Sequence, residues 1–565
     1  MLQYAAFLLV IILLVKPLGA YIARVFTGER AWLDFLLRPI ERMIYRVTKV
    51  DATTEMNWRE YASAFVLFGA VGTFALFLIL KLQHLLPWYD AAFLATPMTT
   101  DLAMNTAISF TTTTTWQAYA GETTMSCFSQ VVGLTVQNFL AGAAGLAVGI
   151  AFIRGLAREN TEHLGNFWVD LVRGLLWVLL PLSIIGSLLL VAQGVPANFS
   201  PYTTLTTVEG LTQIIPQGPV AVLEFIKNLG TNGGGFFNTN GAHPFENPTP
   251  LTNFIEMLAI AVLPAALTHT FGRMVNRPRQ GWVLFWVMTF LFTAGLLLFH
   301  TFEGRGIPAV RSMLSESAMT VPNMEGKETR FGLGATALTA ITTSNGATGS
   351  YNAMHDSFTP MGGFIPLSNM LLGEIIYGGL GTGLYSIILV ALIGLFLAGL
   401  MIGRKPEYLG KEIGISEMKL IMLYTLAAPF AILTLTAVAL SSSVGLAGLT
   451  TNVGAHGLTE ILYAYTTAVA NNGQNFAGLS ANSFFYNLTL TIAMMIGRFG
   501  LAIPALALAG HFARQGRRPV TMGTLPTDSF AFGVLLVGTA LIVGGLSYFP
   551  TLALGPILEH LQMHG

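Results

Sequence analysis

Ten long apolar stretches limit the possible folds of this sequence more than any other feature. They lie near 3–25, 61–86, 126–152, 172–195, 251–272, 280–300, 369–403, 418–440, 484–510 and 527–550. A helix needs about 20 apolar residues to cross the roughly 30 Å of hydrocarbon in a bilayer, because each residue adds about 1.5 Å. Only 10% of the 565 residues are charged, far below the roughly 25% usual in soluble domains. The sequence therefore predicts an all-α polytopic membrane protein with about ten transmembrane helices.

Lysine and arginine are distributed unevenly among the connections between these stretches. Of the 28 basic residues, 20 lie in alternate connections, at 24–59, 154–173, 273–279, 404–419 and 514–518. Such residues concentrate on the cytoplasmic side of membrane proteins. We therefore expect a multi-pass inner-membrane protein with both termini outside. The first stretch has no basic leader and no small-residue cleavage site, so we expect it to be retained as a helix.

Four short, fairly apolar segments precede loops that are rich in Thr, Asn and Gly. The segments lie at 101–111, 219–230, 331–343 and 458–470, and the loops lie at 111–122, 231–248, 343–358 and 470–487. Each segment is too short to span a bilayer and fits a re-entrant half-helix better. Alignment of Thr114, Asn232, Asn345 and Asn472 gives intervals of 118, 113 and 127 residues, which indicates a long internal repeat.

The repeat divides the chain into six segments. We expect four pseudo-repeats of helix, re-entrant pore loop and helix, at 61–153, 172–274, 279–403 and 416–511. The first helix with its cytoplasmic connection lies at 1–60, and the last helix with its outer tail lies at 527–565. These two helices are additional to the repeats.

The residue types in the four loops suit a monovalent cation. Irregular backbone at membrane depth is tolerated only where it is buried in protein or lines a water-filled cavity. Backbone carbonyls and the uncharged oxygens of Thr, Ser and Asn can replace the hydration shell of such an ion. Half-helices that enter from outside also point their partly negative ends at the centre. The filter positions contain no Asp or Glu, which argues against a divalent ion. The choice of potassium over sodium does not follow from residue types.

Several strings outside the loops point to one family. They are KPLG at 16–19, NFWVDLVR at 166–173, GRKPEYLGK at 403–411 and NNGQNFAGLSANSFFYN at 471–487. With the loop strings, they make the chain resemble the potassium-binding A subunit of the bacterial Kdp potassium-transporting ATPase. The resemblance implies a potassium-channel-like fold that acts as the selective K⁺ entry of an ATP-driven pump. It also implies three partners, namely a P-type ATPase B subunit, an accessory C subunit and a small F subunit.

The resemblance also implies an ion-binding set. Carried over by position, the set is Thr113, Thr114, Thr115, Thr231, Asn232, Gly233, Ser344, Asn345, Gly346, Asn471, Asn472 and Gly473. The first filter of the family commonly reads TNTNWQ, whereas this chain reads TTTTWQ, so Thr113 and Thr115 stand where asparagines are usual. Gln117, which we place beside the pathway, is retained. Side-chain oxygen is kept, and we expect transport to survive.

Glycines cluster in the seventh apolar stretch. Gly378, Gly379, Gly381 and Gly383 lie within YGGLGTGL, and each glycine inside a helix costs about 1 kcal/mol relative to Ala. One interpretation is close helix packing. The other, which the resemblance favours, is an unwound segment beneath the filter that prevents a free leak.

Two charged residues fall inside apolar stretches, where a charge is costly unless it is paired or faces water. Glu374 has either a structural partner or a role in attracting cations along the route beyond the filter. Arg498 either pairs with a buried oxygen or places a positive barrier under the filter. The sequence leaves these alternatives open.

Other functions lack support in the sequence. Neither a GxxxxGK[ST] loop nor a DKTG string occurs, so we expect no bound nucleotide and ATP hydrolysis in a partner chain. The net charge of zero gives no reason to expect nucleic acid. Cys127 is the only cysteine, and His243, His269 and His355 lack the spacing of metal ligands, so we expect no transition metal.

Two other classes of function remain as alternatives. The first is a self-sufficient monovalent cation channel or a gradient-driven K⁺/Na⁺ transporter with the same repeats. The second is an intramembrane enzyme, which would need a nucleophile and a base, or a metal cluster, at one depth. Neither arrangement is recognisable in the sequence.

Overall fold

The computed structural model describes residues 1–30, 32–91, 94, 96–308, 321–519 and 524–564. Within these ranges, ten helices are long and apolar enough to cross a membrane, so the chain is a multi-pass membrane protein. The main helices, in chain order, are α1 (Leu2–Thr27), α2 (Asp34–Thr48), α3 (Trp58–Lys81), α4 (Thr100–Thr111), α5 (Ser129–Ala157), α6 (Phe167–Ala192), α7 (Val220–Leu229), α8 (Pro250–Met274), α9 (Pro278–Gly304), α10 (Gly332–Asn345), α11 (Pro360–Leu371), α12 (Thr382–Met401), α13 (Ile415–Ser441), α14 (Gly454–Ala470), α15 (Phe484–Arg514) and α16 (Phe530–His564).

Short elements fill the connections. Helical turns lie at Gln83–Leu85, Gly121–Thr124, Asn240–Ala242, His355–Ser357 and Ser443–Leu446. Three antiparallel strand pairs occur in the described chain: β1 (Met56–Asn57) with β2 (His163–Gly165), β3 (Thr203–Thr206) with β4 (Thr212–Ile215), and β5 (Glu407–Tyr408) with β6 (Lys411–Glu412).

The order of span, short helix and span recurs four times. The short helices are α4, α7, α10 and α14, and they coincide with the four predicted half-helices. They are flanked, in chain order, by α3 and α5, by α6 and α8, by α9 and α11/α12, and by α13 and α15. Helices α1 and α16 lie outside the repeats. The predicted fold class is confirmed. Parts of the predicted first and third repeats, at 92–93, 95 and 309–320, lie outside the described residues, as do Ala31 and Gly565 of the two end segments.

The seventh predicted span, 369–403, is divided between two helices. Helix α11 already ends at Leu371 and α12 begins at Thr382, and the ten residues between them are not helical. Gly381 has a φ of 92°, which a non-glycine residue rarely adopts and which no helix contains. The glycine cluster therefore interrupts the helix, as the unwound-segment interpretation requires.

Helix α5 occupies the centre of the molecule. In its most apolar window 89% of the residues are buried, against 22% in α13 and α16 and 28% in α1. Its small residues permit this position, because a Cβ at Gly149 would lie 2.6 Å from Cα of Gly381, and one at Gly155 would lie 2.6 Å from Cα of Ala509. Small residues spaced along one face let membrane helices approach closely. The sparsely buried spans form the outer surface.

Candidate functional site

Each short helix is followed by a loop with the same change of backbone conformation. Thr113, Thr231, Ala347 and Asn471 have left-handed φ values of 64°, 50°, 49° and 55°. Each precedes a residue with negative φ, and in three loops the next residue, Thr115, Gly233 or Gly473, has positive φ again. Glycine and asparagine tolerate this conformation, whereas β-branched threonine is strained in it. The alternation allows neighbouring carbonyls to face the same side of the loop.

Hydrogen bonds define which residues of the loops are equivalent. The backbone N–H groups of Asn232, Thr348 and Asn472 each donate to a carbonyl five residues earlier, with N···O distances of 2.8, 3.3 and 2.9 Å. Thr348, not Asn345, is therefore the third-loop counterpart of Asn232 and Asn472. The four triplets that begin at the left-handed residues, which we call the filter loops, are 113–115, 231–233, 347–349 and 471–473.

The predicted third set, Ser344, Asn345 and Gly346, is thus displaced by three residues. Ser344 and Asn345 belong to the last turn of α10, where Oγ of Ser344 donates to the carbonyl of Ala340 and Nδ2 of Asn345 donates to that of Ile341. Gly346 is the cap residue of this helix. The helix extends as far as Asn345, whose side-chain amide donates to the carbonyl one turn earlier, so the Asn-Gly pair forms the end of the helix and not the filter triplet. The other nine predicted filter residues lie in filter loops.

The filter loops contact one another in a closed ring. Loops one and two are joined by Oγ1 of Thr115, which donates to the carbonyl of Asn232 at 2.9 Å. Between loops two and three, N–H of Gly349 donates to the same carbonyl at 3.1 Å. A Cβ at Gly349 would lie 3.0 Å from the carbonyl oxygen of Asn472 in loop four.

The ring closes between loops four and one. Nδ2 of Asn471 donates to Oγ1 of Thr114 at 2.9 Å, and a Cβ at Gly473 would collide with the carbonyl oxygen of Thr114. The glycines are therefore required by close approach of backbone to backbone. A ring of uncharged oxygens at the ends of four converging helices can replace the water around a monovalent cation.

A cavity of about 120 Å³ adjoins the ring. The first residue of every filter loop lines it, namely Thr113, Thr231, Ala347 and Asn471. Glu374, Gly379 and Arg498 line it as well. The structure therefore brings these three residues next to the filter loops, and the presence of Ala347 supports the register found for the third loop.

Glu374 is buried, with 2% of its surface exposed, and has a left-handed φ of 52°. Its Oε1 accepts a hydrogen bond of 2.8 Å from Nδ2 of Asn472. The same amide also donates to the carbonyl of Thr343 at 3.0 Å. Of the two interpretations of Glu374, the structural partner is therefore present, and this partner is itself a filter residue.

Arg498 lies in a wider helical turn within α15, at Ile496–Gly500. Its Nη1 donates to Oγ1 of Thr113 at 3.2 Å, and its Nη2 donates to the carbonyl of Ala141 at 2.9 Å. Its guanidinium also lies 5.6 Å from the ring centroid of Phe65. Among the described residues it has no carboxylate partner, so a full positive charge stands beside the first filter loop.

The interrupted helix packs directly on the second loop. The N–H of Leu380 donates to Oγ1 of Thr231 at 2.7 Å. A Cβ at Gly379 would lie 2.9 Å from Cβ of Ala347, and one at Gly378 would collide with the carbonyl of Glu374. Three of the four clustered glycines, Gly378, Gly379 and Gly381, thus lie in the segment that bends tightly under the ring, whereas Gly383 lies in α12.

Side chains outside the filter hold the second loop in place. Gln117 binds the backbone of Gly235 in both directions, since Nε2 donates to its carbonyl at 3.1 Å and Oε1 accepts from its N–H at 2.9 Å. Oε1 of Glu246 accepts from N–H of Phe236 at 2.7 Å and of Phe237 at 3.2 Å. Gln117 therefore joins loops one and two and does not line the cavity.

Glu246 belongs to a fully buried charged group that we did not find in the sequence. Lys227 and Glu224 on α7 form an ion pair of 2.7 Å with no exposure of either side chain. Glu246 and Glu256 are also completely buried. The only sequence signal is the presence of these charges in apolar segments at membrane depth, which usually marks paired or functional groups.

A second group was missed near the start of α14. His456 lies one helical turn before Glu460, with Nε2 at 2.8 Å from Oδ1 of Asp356 and Nδ1 at 2.7 Å from Oε1 of Glu559. Burial lowers the pKa of His456, but the hydrogen bonds to Asp356 and Glu559 outweigh it and raise the pKa to about 10. Both ring nitrogens therefore carry protons at neutral pH and tie α16 to the loop after the third filter loop.

Comparison with known proteins gives consistent matches over the whole chain. The family model for the potassium-transporting ATPase A subunit matches residues 5–561. The protein named potassium-transporting ATPase potassium-binding subunit from a strain of Methylorubrum extorquens is 52% identical over 558 residues, which cover 99% of this chain and 96% of the relative. Its namesake from Solibacter usitatus is 49% identical over 563 residues, covering 100% of this chain and 98% of that protein.

Among solved structures, the potassium transporter TrkH from Vibrio parahaemolyticus has a similar fold. The TM-score is 0.51 at 12% sequence identity, and the match covers 86% of this chain and 96% of that one. At this identity the likeness concerns the fold alone.

Proposed function

The chain belongs to the potassium-transporting ATPase A subunit family, and on that basis we propose that it is the potassium-binding and translocating subunit of an ATP-driven, high-affinity potassium uptake complex. The observation that carries the proposal is the closed ring of four filter loops above a cavity. A ring built from carbonyl, hydroxyl and amide oxygens has the chemistry of a monovalent cation site. K⁺ is the substrate ion in this proposal.

The proposed K⁺ site consists of the filter loops in the register of the structure. Three of the four sets are those predicted, and the third becomes Ala347, Thr348 and Gly349. The ion enters from the outer side, loses water at the ring and reaches the cavity beside Glu374. The positive charge of Arg498 and the bent glycine segment oppose free passage there, so the cavity holds the ion until it moves to a partner subunit.

The partners in this proposal are a P-type ATPase B subunit, an accessory C subunit and a small F subunit. ATP is hydrolysed by the B subunit and not by this chain, which we propose to bind no nucleotide. We place the complex in the bacterial inner membrane with both termini of this chain outside. The uneven distribution of basic residues among the connections supports this orientation.

Isolation of the native complex tests the proposal. The tagged chain, purified in mild detergent, should carry a stoichiometric ATP-hydrolysing partner whose activity rises with K⁺. A Gly473→Ala variant should assemble but respond only at much higher K⁺, because its Cβ would displace the carbonyl of Thr114. Recovery of a homodimer without an ATPase, which passes K⁺ along its gradient, would instead establish the alternative of a self-sufficient channel or gradient-driven transporter.

A further inference from the structure

Helix α2 exposes an apolar face that no other described part of the chain covers. Its exposed apolar side chains, with the preceding tryptophan, are Trp32 (90% exposed), Phe35 (80%), Leu36 (53%), Ile40 (36%), Met43 (59%) and Val47 (75%). With 3.6 residues per turn, the helical members of this set fall on one side of the helix. A face of this size in contact with water would be unfavourable, so a partner of matching chemistry must cover it.

The opposite face of α2 packs on the beginning of a membrane span. Buried Glu41 accepts hydrogen bonds from Nε of Arg173 at 3.1 Å, Nε1 of Trp177 at 3.1 Å and Oη of Tyr45 at 2.8 Å. Arg173 and Trp177 lie in the first three turns of α6, which begins at Phe167. These contacts fix α2 beside the end of α6, where a bilayer changes from headgroups to acyl chains. The apolar face consequently looks away from the protein at that depth.

A line of arginines separates the two faces. Arg38, Arg42 and Arg46 follow one another at intervals of four residues, so they share one side of the helix. Arg38 pairs with Asp34 at 3.3 Å, and neither Arg42 nor Arg46 has a carboxylate partner among the described residues. The planar guanidinium binds phosphate through paired hydrogen bonds.

We propose that α2 lies in the plane of the membrane surface and binds anionic phospholipid. The apolar face, with Met43 at its centre, enters the acyl chains, while Arg38, Arg42 and Arg46 hold the lipid phosphates. Lipid is the occupant that these observations favour, because an apolar face beside a basic line at the end of a span matches an anionic leaflet in both polarity and charge. This inference does not depend on the transport function proposed above.

Quenching by brominated lipids tests the proposal in the native complex. Bimane is attached to a Met43→Cys variant in a Cys127→Ala background, and the complex is placed in bilayers that contain brominated phosphatidylglycerol or brominated phosphatidylcholine. We expect quenching by both lipids and a preference for phosphatidylglycerol. Replacement of Arg38, Arg42 and Arg46 by Gln should lower that preference by about fivefold or more.

A matched control replaces three arginines in another connection on the predicted cytoplasmic side of the membrane. Arg273, Arg277 and Arg279 are all exposed, and their replacement by Gln should leave the preference at Met43→Cys unchanged. If neither brominated lipid quenches the bimane, the proposal is overturned. An equal preference for phosphatidylglycerol in the parent and in the α2 triple variant would also overturn it. So would quenching that is seen in the isolated chain but disappears in the complex, because a partner subunit would then cover the apolar face. No K⁺ or ATP is needed, so these results are independent of the transport assays.

Discussion

Nδ2 of Asn472 and Oε1 of Glu374 are joined by a hydrogen bond of 2.8 Å. Asn472 stands in the fourth filter loop, and Glu374 stands in the non-helical segment that begins after α11. The bond therefore connects the ring to the interruption beneath it, and it holds the side chain of Glu374 at the wall of the cavity.

Glu374→Gln should weaken K⁺ binding while it preserves the hydrogen bond to Asn472. When K⁺ is bound, an ionised Glu374 about 10 Å from the cation would contribute on the order of 1.7 kcal/mol at an effective dielectric constant near 20, so we expect the K⁺ concentration for half-maximal ATPase activity to rise about tenfold. The measurement is a K⁺ titration of the purified complex. Glu209→Gln, which removes an exposed carboxylate in the β3–β4 turn, is the control. An unchanged half-maximal concentration in Glu374→Gln would show that Glu374 has only a structural role.

The register of the third loop predicts opposite results for two neighbouring substitutions. Gly349→Ala places a Cβ 3.0 Å from the carbonyl oxygen of Asn472, so the half-maximal K⁺ concentration should rise tenfold or more. Asn345→Ala removes an amide that donates only to the carbonyl of Ile341, and the value should stay within about twofold of the parent. Reversal of this order in the same titration would restore the register based on Asn345.

The third loop is the one whose register differs between the sequence prediction and the structure. In loops one, two and four, the predicted triplet begins one or two residues after the end of the short helix, as it does in the structure. In loop three Asn345 ends α10 and Gly346 caps it, so the triplet Ala347, Thr348 and Gly349 begins only after the Asn-Gly pair. Whether a helix ends at an Asn-Gly pair depends on the competition between turn and helix hydrogen bonds at that point. The dipeptide alone therefore does not predict the last helical residue.

The ten spans and four half-helices followed from apolar length, which is a property of the sequence alone. The contacts that hold the second loop did not, because Gln117 reaches Gly235 from a segment 118 residues away and Glu246 folds back onto Phe236 and Phe237 within the same loop. The interruption before α12 was one of two open interpretations of Gly378, Gly379, Gly381 and Gly383. Close packing and unwinding both require glycine, and only the three-dimensional arrangement separates them.

The threonines of the first loop carry backbone strain. Thr113 and Thr115 have φ values of 64° and 52°, a conformation that costs most residues about 1–2 kcal/mol and that asparagine tolerates better. Thr113→Asn and Thr115→Asn should therefore each stabilise the protein by about 1 kcal/mol in thermal or denaturant unfolding of the complex. Thr112→Asn is the control, because φ of Thr112 is −86° and no strain is relieved there. A loss of stability in both variants would contradict this explanation.

Arg498→Gln should raise the passive flux of cations. The guanidinium beside Thr113, which has no carboxylate partner in the described part of the chain, opposes entry of a second positive charge into the cavity. We therefore expect the ATP-independent uptake of rubidium into proteoliposomes to increase by about tenfold. Arg498→Lys keeps the charge and should keep the flux low. If Arg498→Gln leaves the passive flux unchanged, Arg498 is a structural hydrogen-bond donor and not a barrier.

Direct location of the ion tests the proposed site most sharply. The measurement is a density map of the complex in rubidium, compared with a map in sodium. We expect a rubidium peak on the axis of the ring, coordinated by oxygens from 113–115, 231–233, 347–349 and 471–473, and no peak there in sodium. A peak bound instead by Ser344, Asn345 or Gly346, or no rubidium within the ring, would contradict the assignment of the four filter loops as the potassium site.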